Sequence, residues 1–500
     1  MRDHLVFYLN GCRQQVGDSR ALLTLAEFLR QEQGLTGTKV VCAEGDCGAC
    51  AVLMGRPEAT SQEDGDLVYR AIDSCVALLF QLDGCHVVTV EGLACGGKLS
   101  PVQQAMVDCH GSQCGFCTPG FVTTLHGLVE TQSHHEPLTS VGGGLSAEAL
   151  RYALSGNLCR CTGYQQIIEA GESINLATTP RLAELYPDPK LKSELFATVK
   201  DDVALAPQNG ASPWQVFAPS SLEAALEWRA KHPQAKIVSG ATDVGVQRNH
   251  GKLELAEVLV LNRIGELTEI SVTDGVLHLG AGATWTAVEE AVRELLPEYH
   301  AVLTRFGSPQ IRNFGTIGGN FVNASPIADS LPLHFVLDAE LELASMRGVR
   351  RVPITEFYRG YKQIDLAPDE LLVGIRTPLP VENERVKLYK ISKRRDMDIS
   401  TVTAAIAVTL EGKTISRARI ALGGVGPVVL RMPAVEEFLT DAELTADTMR
   451  EAGKLARQAI KPLTDVRGSG DYRLQLVENL LAKSYFDLQE VSAGSAPLPR

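Results

Sequence analysis

All twelve cysteines of this 500-residue chain lie between Cys12 and Cys161, and the remaining two-thirds of the sequence has none. Disulfide scaffolds belong to small secreted domains that cannot build a sufficient core, whereas a chain this long buries cores of its own. Cysteines crowded into one third of such a chain point instead to metal or redox chemistry.

Eight of them fall into two constellations. Cys42, Cys47 and Cys50 read C-x4-C-x2-C, with Cys75 further on. This is the plant-type spacing of a [2Fe–2S] cluster. Three thiolates must converge on one pocket, and bridging sulfides accept backbone N–H groups. Gly45 and Gly48 let those groups turn inward without a Cβ in the way. The second set is Cys114 and Cys117 in C-x2-C with Cys159 and Cys161 in C-x-C. Pro119 follows the first pair and Ser155-Gly156-Asn157 precedes the second, which places both at helix boundaries. Helix N-termini favour negative charge and suit an anionic cluster. Structural zinc also accepts four cysteines. Zinc sites usually pair two C-x2-C knuckles, a pattern the first set lacks. Cys12, Cys85, Cys95 and Cys109 fall outside both sets and read as small packed residues.

A net charge of -13 argues against a nucleic-acid surface, which needs clustered Lys and Arg. The first ten residues lack the basic-then-apolar pattern of a signal peptide. No window approaches 18 consecutive apolar residues. A cytoplasmic protein with no membrane partner is the expectation.

The pattern along the chain predicts α+β organisation. A hairpin turns at Asn10-Gly11 between strands 5–9 and 12–16. Thr24 caps a helix through Leu25, Phe28 and Leu29, with Glu27 at capping-box spacing. A Gly- and Cys-rich loop and two more strands complete a small unit over 1–90. Residues 91–177 read as helical, with starts at Pro101, Pro119, Ala147 and Tyr164. His134 and His135 fall in a polar loop there and read as solvated. Residues 178–212 are polar with little periodicity and read as a linker. Strands and helices alternate over 213–385, and a last unit, 386–490, holds two strands followed by three helices.

No complete G-x-G-x-x-G fingerprint is present. Gly280-Ala-Gly282 follows a strand, but Trp285 stands where the third glycine belongs. Two other Gly-rich stretches could cradle a pyrophosphate through successive N–H groups and hydroxyls. One runs Ile237-Val-Ser-Gly-Ala-Thr-Asp-Val-Gly245. The other runs Arg312-Asn-Phe-Gly-Thr-Ile-Gly-Gly-Asn320 and continues to Asp329. Read alone, they could equally be two unrelated surface turns.

The run Gln113-Cys-Gly-Phe-Cys-Thr-Pro-Gly120, with Gly156-Asn-Leu-Cys-Arg-Cys-Thr-Gly-Tyr164, resembles the second iron–sulfur domain of the xanthine dehydrogenase family of molybdenum hydroxylases. The stretch from Cys42 to Cys75 is similar to that family's ferredoxin-like domain. The two Gly-rich stretches resemble its FAD-binding loops. The resemblance implies a β-grasp ferredoxin-like domain, a helical [2Fe–2S] domain, a non-Rossmann FAD-binding α+β domain and a C-terminal α+β flavoprotein domain. It implies FAD contacts from Ile237, Val238, Ser239, Gly240, Ala241, Thr242, Asp243 and Val244, and from Phe306, Thr316, Asn320 and Asp329. Tyr389-Lys-Ile-Ser-Lys-Arg-Arg-Asp396 resembles the segment whose lysine reaches the flavin, which adds Lys390. Gln113 is implied to approach the molybdenum cofactor. The implied chain is the small subunit of a split xanthine dehydrogenase, with a separate molybdopterin-binding large subunit in a heterodimer or dimer of heterodimers. Electrons from hypoxanthine or xanthine would cross two [2Fe–2S] clusters to FAD and then NAD+, and no residue of this chain would act as acid, base or nucleophile on the purine. The run Asp396-Met-Asp398 borders the implied nicotinamide site. Two other readings stand beside this one: the equivalent subunit of a molybdenum hydroxylase acting on aldehydes or N-heterocycles, and a zinc-stabilised binding protein without redox activity.

Overall fold

The computed structural model describes residues 1–57, 65–94, 96–131, 144–207 and 214–489. The chain forms two compact units. One is Met1–Thr268 with Gly307–Thr316; the other is Glu269–Phe306 with Ile317–Arg500. This division runs through the 213–385 segment expected as one domain, and core sharing explains why. Val216, Val238, Val258 and Val260 are buried in the same core as Leu5, Phe7, Leu29 and Val87. Leu277, Leu341 and Ile375 instead share a core with Leu388, Ala405 and Ala421.

The first unit opens with a five-stranded sheet. Its strands are β1 (Leu5–Leu9), β2 (Cys12–Val16), β3 (Ala51–Pro57), β4 (Leu67–Asp73) and β5 (His86–Val88), in the order β2-β1-β5-β3-β4. β1 runs parallel to β5 and the other pairs are antiparallel. Asn10 and Gly11 both take positive φ, 49° and 79°, as a tight two-residue hairpin turn requires. Thr24 accepts from the Glu27 N–H, and Glu27 accepts from the Thr24 N–H, so the expected capping box is present. The helix it starts widens to a π-turn over Phe28–Glu32.

Five consecutive residues of β1 are buried, so both faces of this strand are covered. Leu5, Phe7 and Leu9 face the main core, while Tyr8 meets Leu191 and Leu195. Those two leucines lie in the segment expected as a linker. The linker reading is corrected: residues 178–207 form helices Leu182–Leu185 and Pro189–Thr198 and a strand, Val203–Leu205. Leu191 and Leu195, one helical turn apart, make a narrow stripe that polar neighbours conceal in the sequence. Tyr8 donates its hydroxyl to Glu194 at 2.7 Å and fixes the helix on the sheet.

His86 in β5 is fully buried; the Gly11 N–H donates to its Nε2 at 3.1 Å and Tyr69 Oη lies 2.6 Å from its Nδ1. Burial pushes its pKa from 6.5 down to about 4. The unfolded chain binds this proton near 6.5 and the folded chain only near 4, so stability falls as pH drops through that window. The loss is about 3 kcal/mol. Urea titrations between pH 7 and 4 are expected to show a shallower pH slope in His86→Gln than in the parent; equal slopes would exclude His86 as the source.

A helical lobe follows, comprising α1 (Pro101–Asp108), α2 (Thr118–Thr131), α3 (Ala147–Ala153) and α4 (Gln165–Ser173). Its core holds Met106, Phe121, Leu125, Leu150 and Ile167. His134, His135 and Cys95 lie outside the described residues. Cys85 is buried and Cys109 half-buried, but Cys12 is exposed and is not the packed residue expected. It stands on β2, where Cys12, Arg13 and Gln15 are all exposed or half-exposed on the edge of the sheet. A four-stranded sheet completes the unit, ordered Val203–Leu205, Gln215–Ala218, Glu257–Val260 and Lys236–Val238, with the last three parallel.

The second unit has two larger antiparallel sheets and a two-stranded one, Tyr358–Gly360 with Gln363–Ile364. The five-stranded one is ordered Ile270–Thr273, Val276–Gly280, Leu371–Pro378, Glu340–Ser345, Gly348–Pro353. The four-stranded one is ordered Glu384–Ile391, Val402–Glu411, Thr414–Gly423, Leu430–Arg431. Helices Pro433–Leu439, Ala446–Ala459 and Gly470–Gln489 follow. Among the described residues no helix is long and apolar enough to cross a membrane.

Candidate functional site

The register of β3 and β4 builds the first thiol group. Ala51 pairs with Asp73, which brings Cys50, just before β3, towards Cys75, just after β4. Cys42 and Cys47 arrive on the preceding loop. Gly45 and Gly48 there take φ of +77° and +64°, and the N–H groups of Glu44 and Asp46 each lie 3.4 Å from Cys42 Sγ. Hydrogen bonds with Cys47 and then Cys75 hold the Cys42 thiol far below the usual thiol range. Hydrogen bonds with Cys42 and Cys50 push Cys75 far up. The four expected residues thus form one connected set of thiols. Asp73 lies beside them, buried, with Oδ1 3.5 Å from Cys50 Sγ and no partner for Oδ2. Burial holds its carboxyl well above the carboxylate range.

The second thiol group sits on the two loops that precede α2 and α4. Cys159 Sγ lies 3.7 Å from Cys161 Sγ, which lies 3.7 Å from Cys114 Sγ. Cys117 is pushed up to about 12, by burial first and then by its hydrogen bond with Cys159. Burial works against the charged form of Cys159, but hydrogen bonds led by the Thr162 hydroxyl outweigh it and bring the thiol to about 7. Cys159 is buried, whereas Cys114 and Cys161 are exposed. Gln113 is exposed beside Cys114, and Phe116 nearby is 47% exposed.

The two thiol loops touch. Leu158 N–H, adjacent to Cys159, donates to Cys47 O at 2.9 Å, and Asn157 Nδ2 donates to Gly48 O at 3.2 Å. Gln310, fully buried, donates to Asn157 Oδ1 at 2.8 Å and to Thr124 Oγ1 at 3.2 Å. Its neighbour Ile311 packs over Gly45. The segment Gly307–Thr316 therefore contacts both thiol lobes. On the other side of the first loop, Asn249 Nδ2 donates to Ala43 O at 2.9 Å and to Cys75 O at 2.8 Å. Asn249 ends α5 (Val244–Asn249), the helix that leaves the first expected FAD loop. Asn157, Gln310 and Asn249 carry no spacing signal that one sequence could reveal.

The expected FAD residues divide between the units. Ile237 to Val244 and Thr316 belong to the first; Phe306, Asn320, Asp329 and Lys390 belong to the second. In the first, the strand Lys236–Val238 ends in a tight turn where Ala241 takes a φ of +54°. Ser239 Oγ is shielded from solvent with no hydrogen-bond partner, and Gly240 packs on the Phe314 carbonyl. In the second, Phe306 meets Trp285 edge-on, with ring centroids 4.8 Å apart, and Asn320 Oδ1 accepts from Ser330 at 2.7 Å. Asp329 and Lys390 form a buried ion pair at 2.5 Å. Lys390 Nζ also donates to Ser400 Oγ and to Asp398 O, both at 2.9 Å, and Ser400 donates to Asp329 Oδ1 at 2.5 Å. Ser400 was not among the expected residues. The Asp398 carboxylate accepts from the Arg394 N–H and Nε, and the Arg394 hydrogen bond holds its pKa below the usual range.

Four family models match consecutive parts of the chain: a 2Fe-2S iron-sulfur cluster binding domain over 7–79, a [2Fe-2S] binding domain over 89–172, the FAD binding domain in molybdopterin dehydrogenase over 212–380, and the CO dehydrogenase flavoprotein C-terminal domain over 387–488. The chain belongs to the molybdenum hydroxylase family, as its iron–sulfur and FAD region. It is 31% identical to xanthine dehydrogenase 1 of Arabidopsis thaliana over 93% of its own length and 38% of that protein. It is 29% identical to aldehyde oxidase 1 of Bos taurus over 98% of its length and 40% of that protein. The chain thus spans about two-fifths of the curated relatives it matches. Among solved structures, 55% of the chain superposes on 96% of a chain of quinoline 2-oxidoreductase from Pseudomonas putida 86, with 28% identity and a TM-score of 0.52. For carbon monoxide dehydrogenase from Hydrogenophaga pseudoflava the shares are 56% and 98%, with 25% identity and a TM-score of 0.53.

The residues of this molybdenum hydroxylase region fit the groups its domains bind. Two all-thiol donor sets with inward-turned N–H groups suit [2Fe–2S] clusters, and the two iron–sulfur models replace the zinc reading. The orphaned Ser239 hydroxyl suits a phosphate oxygen.

Proposed function

We propose that this chain carries electrons from a molybdenum centre on a partner subunit, oxidising hypoxanthine or xanthine, to NAD+. In this reading Cys42, Cys47, Cys50 and Cys75 ligate one cluster, and Cys114, Cys117, Cys159 and Cys161 the other. Ile237 to Val244, Phe306, Thr316, Asn320, Asp329 and Lys390 hold the FAD. When bound, the clusters carry single electrons and the flavin exchanges them with a two-electron acceptor.

The observation that carries the reading is the 2.9 Å hydrogen bond from Leu158 N–H to Cys47 O. It joins the backbones of the two thiol sets, so covalent bonds and one hydrogen bond link Cys159 to Cys47. The buried Asn157 and Gln310 brace that junction through their own hydrogen bonds. The exposure of Cys114, Cys161, Gln113 and Phe116 supports the approach of the molybdopterin-binding partner on this face. The partner as a separate chain is supported by the solved relatives, where about half of this chain accounts for nearly all of theirs. The substrate is supported by the relatives named xanthine dehydrogenase; the match to an aldehyde oxidase favours an aldehyde as the second reading.

The test uses the native complex, purified through this chain and kept anaerobic. Xanthine is expected to bleach the flavin and iron–sulfur absorbance, and NAD+ to restore it. Bleaching by an aldehyde but not by xanthine would move the substrate to the second reading. Failure of NAD+ to restore the bands, where oxygen does so, would remove the acceptor assignment.

A further inference from the structure

Lys390 is a buried ammonium whose three N–H donors are all committed within the protein. They go to Asp329 Oδ2, Ser400 Oγ and the Asp398 carbonyl, at 2.5, 2.9 and 2.9 Å. Ser400 is the one neutral side chain in this arrangement and is fully buried. Its hydroxyl closes a ring, accepting from the lysine and donating to the second oxygen of the same aspartate. An ion pair this deeply buried keeps a defined geometry only when its remaining lone pairs and protons are satisfied. Without the hydroxyl, Asp329 Oδ1 loses its serine donor and the ammonium loses one of its three acceptors.

The placement of Ser400 explains its fit. Glu384–Ile391 and Val402–Glu411 are antiparallel neighbours, with Ile391 opposite Val402, and Ser400 lies on the connection between them. That connection also contains the Arg394–Asp398 ion pair and Met397 at a φ of +65°. Its C-terminal end is thus tied to the ammonium of the preceding strand, through the Asp398 carbonyl and the Ser400 hydroxyl.

We propose that Ser400 is a positioning residue for the Lys390–Asp329 pair and, through it, sets the electrostatic field at the flavin. The proposal rests on the reading that Lys390 and Asp329 meet the FAD. A fixed ammonium favours the reduced, more negative flavin; an aspartate stripped of its hydroxyl donor opposes it. Ser400 therefore raises the flavin's midpoint potential without touching the substrate of the partner subunit.

The experiment compares Ser400→Ala, Ser400→Thr and Lys390→Met in the full, flavin-loaded complex. Midpoint potentials come from anaerobic titration against reference dyes, and FAD content from released flavin. Ser400→Ala is expected to retain its FAD and shift the flavin potential downward, with the iron–sulfur potentials unchanged. Ser400→Thr, which keeps the hydroxyl, is expected to restore it. If Lys390→Met moves the potential and Ser400→Ala does not, the pair holds itself and the role of Ser400 is overturned. If Lys390→Met changes neither potential nor FAD content, the flavin assignment itself fails. Should Ser400→Ala not fold, Ser400→Thr and Ser400→Cys decide. A potential near the parent's in threonine and lowered in cysteine supports the proposal, and equal potentials in both overturn it.

Discussion

Cys161→Ser is expected to remove half of the iron and acid-labile sulfide from the chain while leaving its fold and FAD in place. The expectation follows from where the residue sits. Cys161 is exposed, so its loss opens no cavity and removes no core contact. Its sulfur links Cys159 to Cys114 at 3.7 Å on either side, so the second thiol set loses its middle member. The other set is untouched, because its thiols connect with one another, with Asp73 and with N–H groups of their own loop. Low-temperature electron paramagnetic resonance of the reduced variant should retain one of two iron–sulfur signals. Xanthine should no longer bleach the flavin at the parental rate, whereas NADH still does. Full iron retention would take Cys161 out of the ligand set. Cys50→Ser is the contrasting case, since Cys50 is buried in a small core with Ala26, Cys75 and Val76.

Gly48→Ala is expected to cost about 3–5 kcal/mol, the range of the most damaging single substitutions. Two effects add. Gly48 has a φ of +64°, a conformation that costs an L-residue roughly 1–2 kcal/mol. The added Cβ would also stand 2.4 Å from Gly156 O and 2.6 Å from Asn157 Nδ2, so the loops must part. Parting them breaks the Asn157 and Leu158 hydrogen bonds that join the thiol sets. Gly34→Ala isolates the first effect: its φ is +66° and nothing lies within 4 Å of the added carbon. Urea unfolding of the two variants should therefore differ by a few kcal/mol. Equal midpoints would mean that the loop contact carries no stability.

Much of this was legible in the sequence because the relevant physics is local. The Asn10-Gly11 turn and the Thr24–Glu27 box each need only neighbouring residues, and each recurs in the structure as expected. The three helices expected at the end of the last unit are present as Pro433–Leu439, Ala446–Ala459 and Gly470–Gln489, and in the second the buried Met449, Ala452, Gly453 and Ala456 fall on one helical face. The 178–207 segment was missed because Leu191 and Leu195 acquire meaning only against Tyr8, nearly two hundred residues earlier. Gln310 and Ser400 were missed for the same reason: each acts on residues that no spacing rule connects to it.

The excursion of Gly307–Thr316 into the first unit bears on how the protein is made. A nascent chain that has emerged as far as Thr268 contains every cysteine but not Gln310 or Ile311. Until the ribosome passes Thr316, Asn157 and Thr124 lack their shared partner and Gly45 lacks its cover. By then Glu269–Phe306, part of the second unit, has already been synthesised. The contacts that brace the cysteine-rich third are thus completed only after part of the second unit has been made.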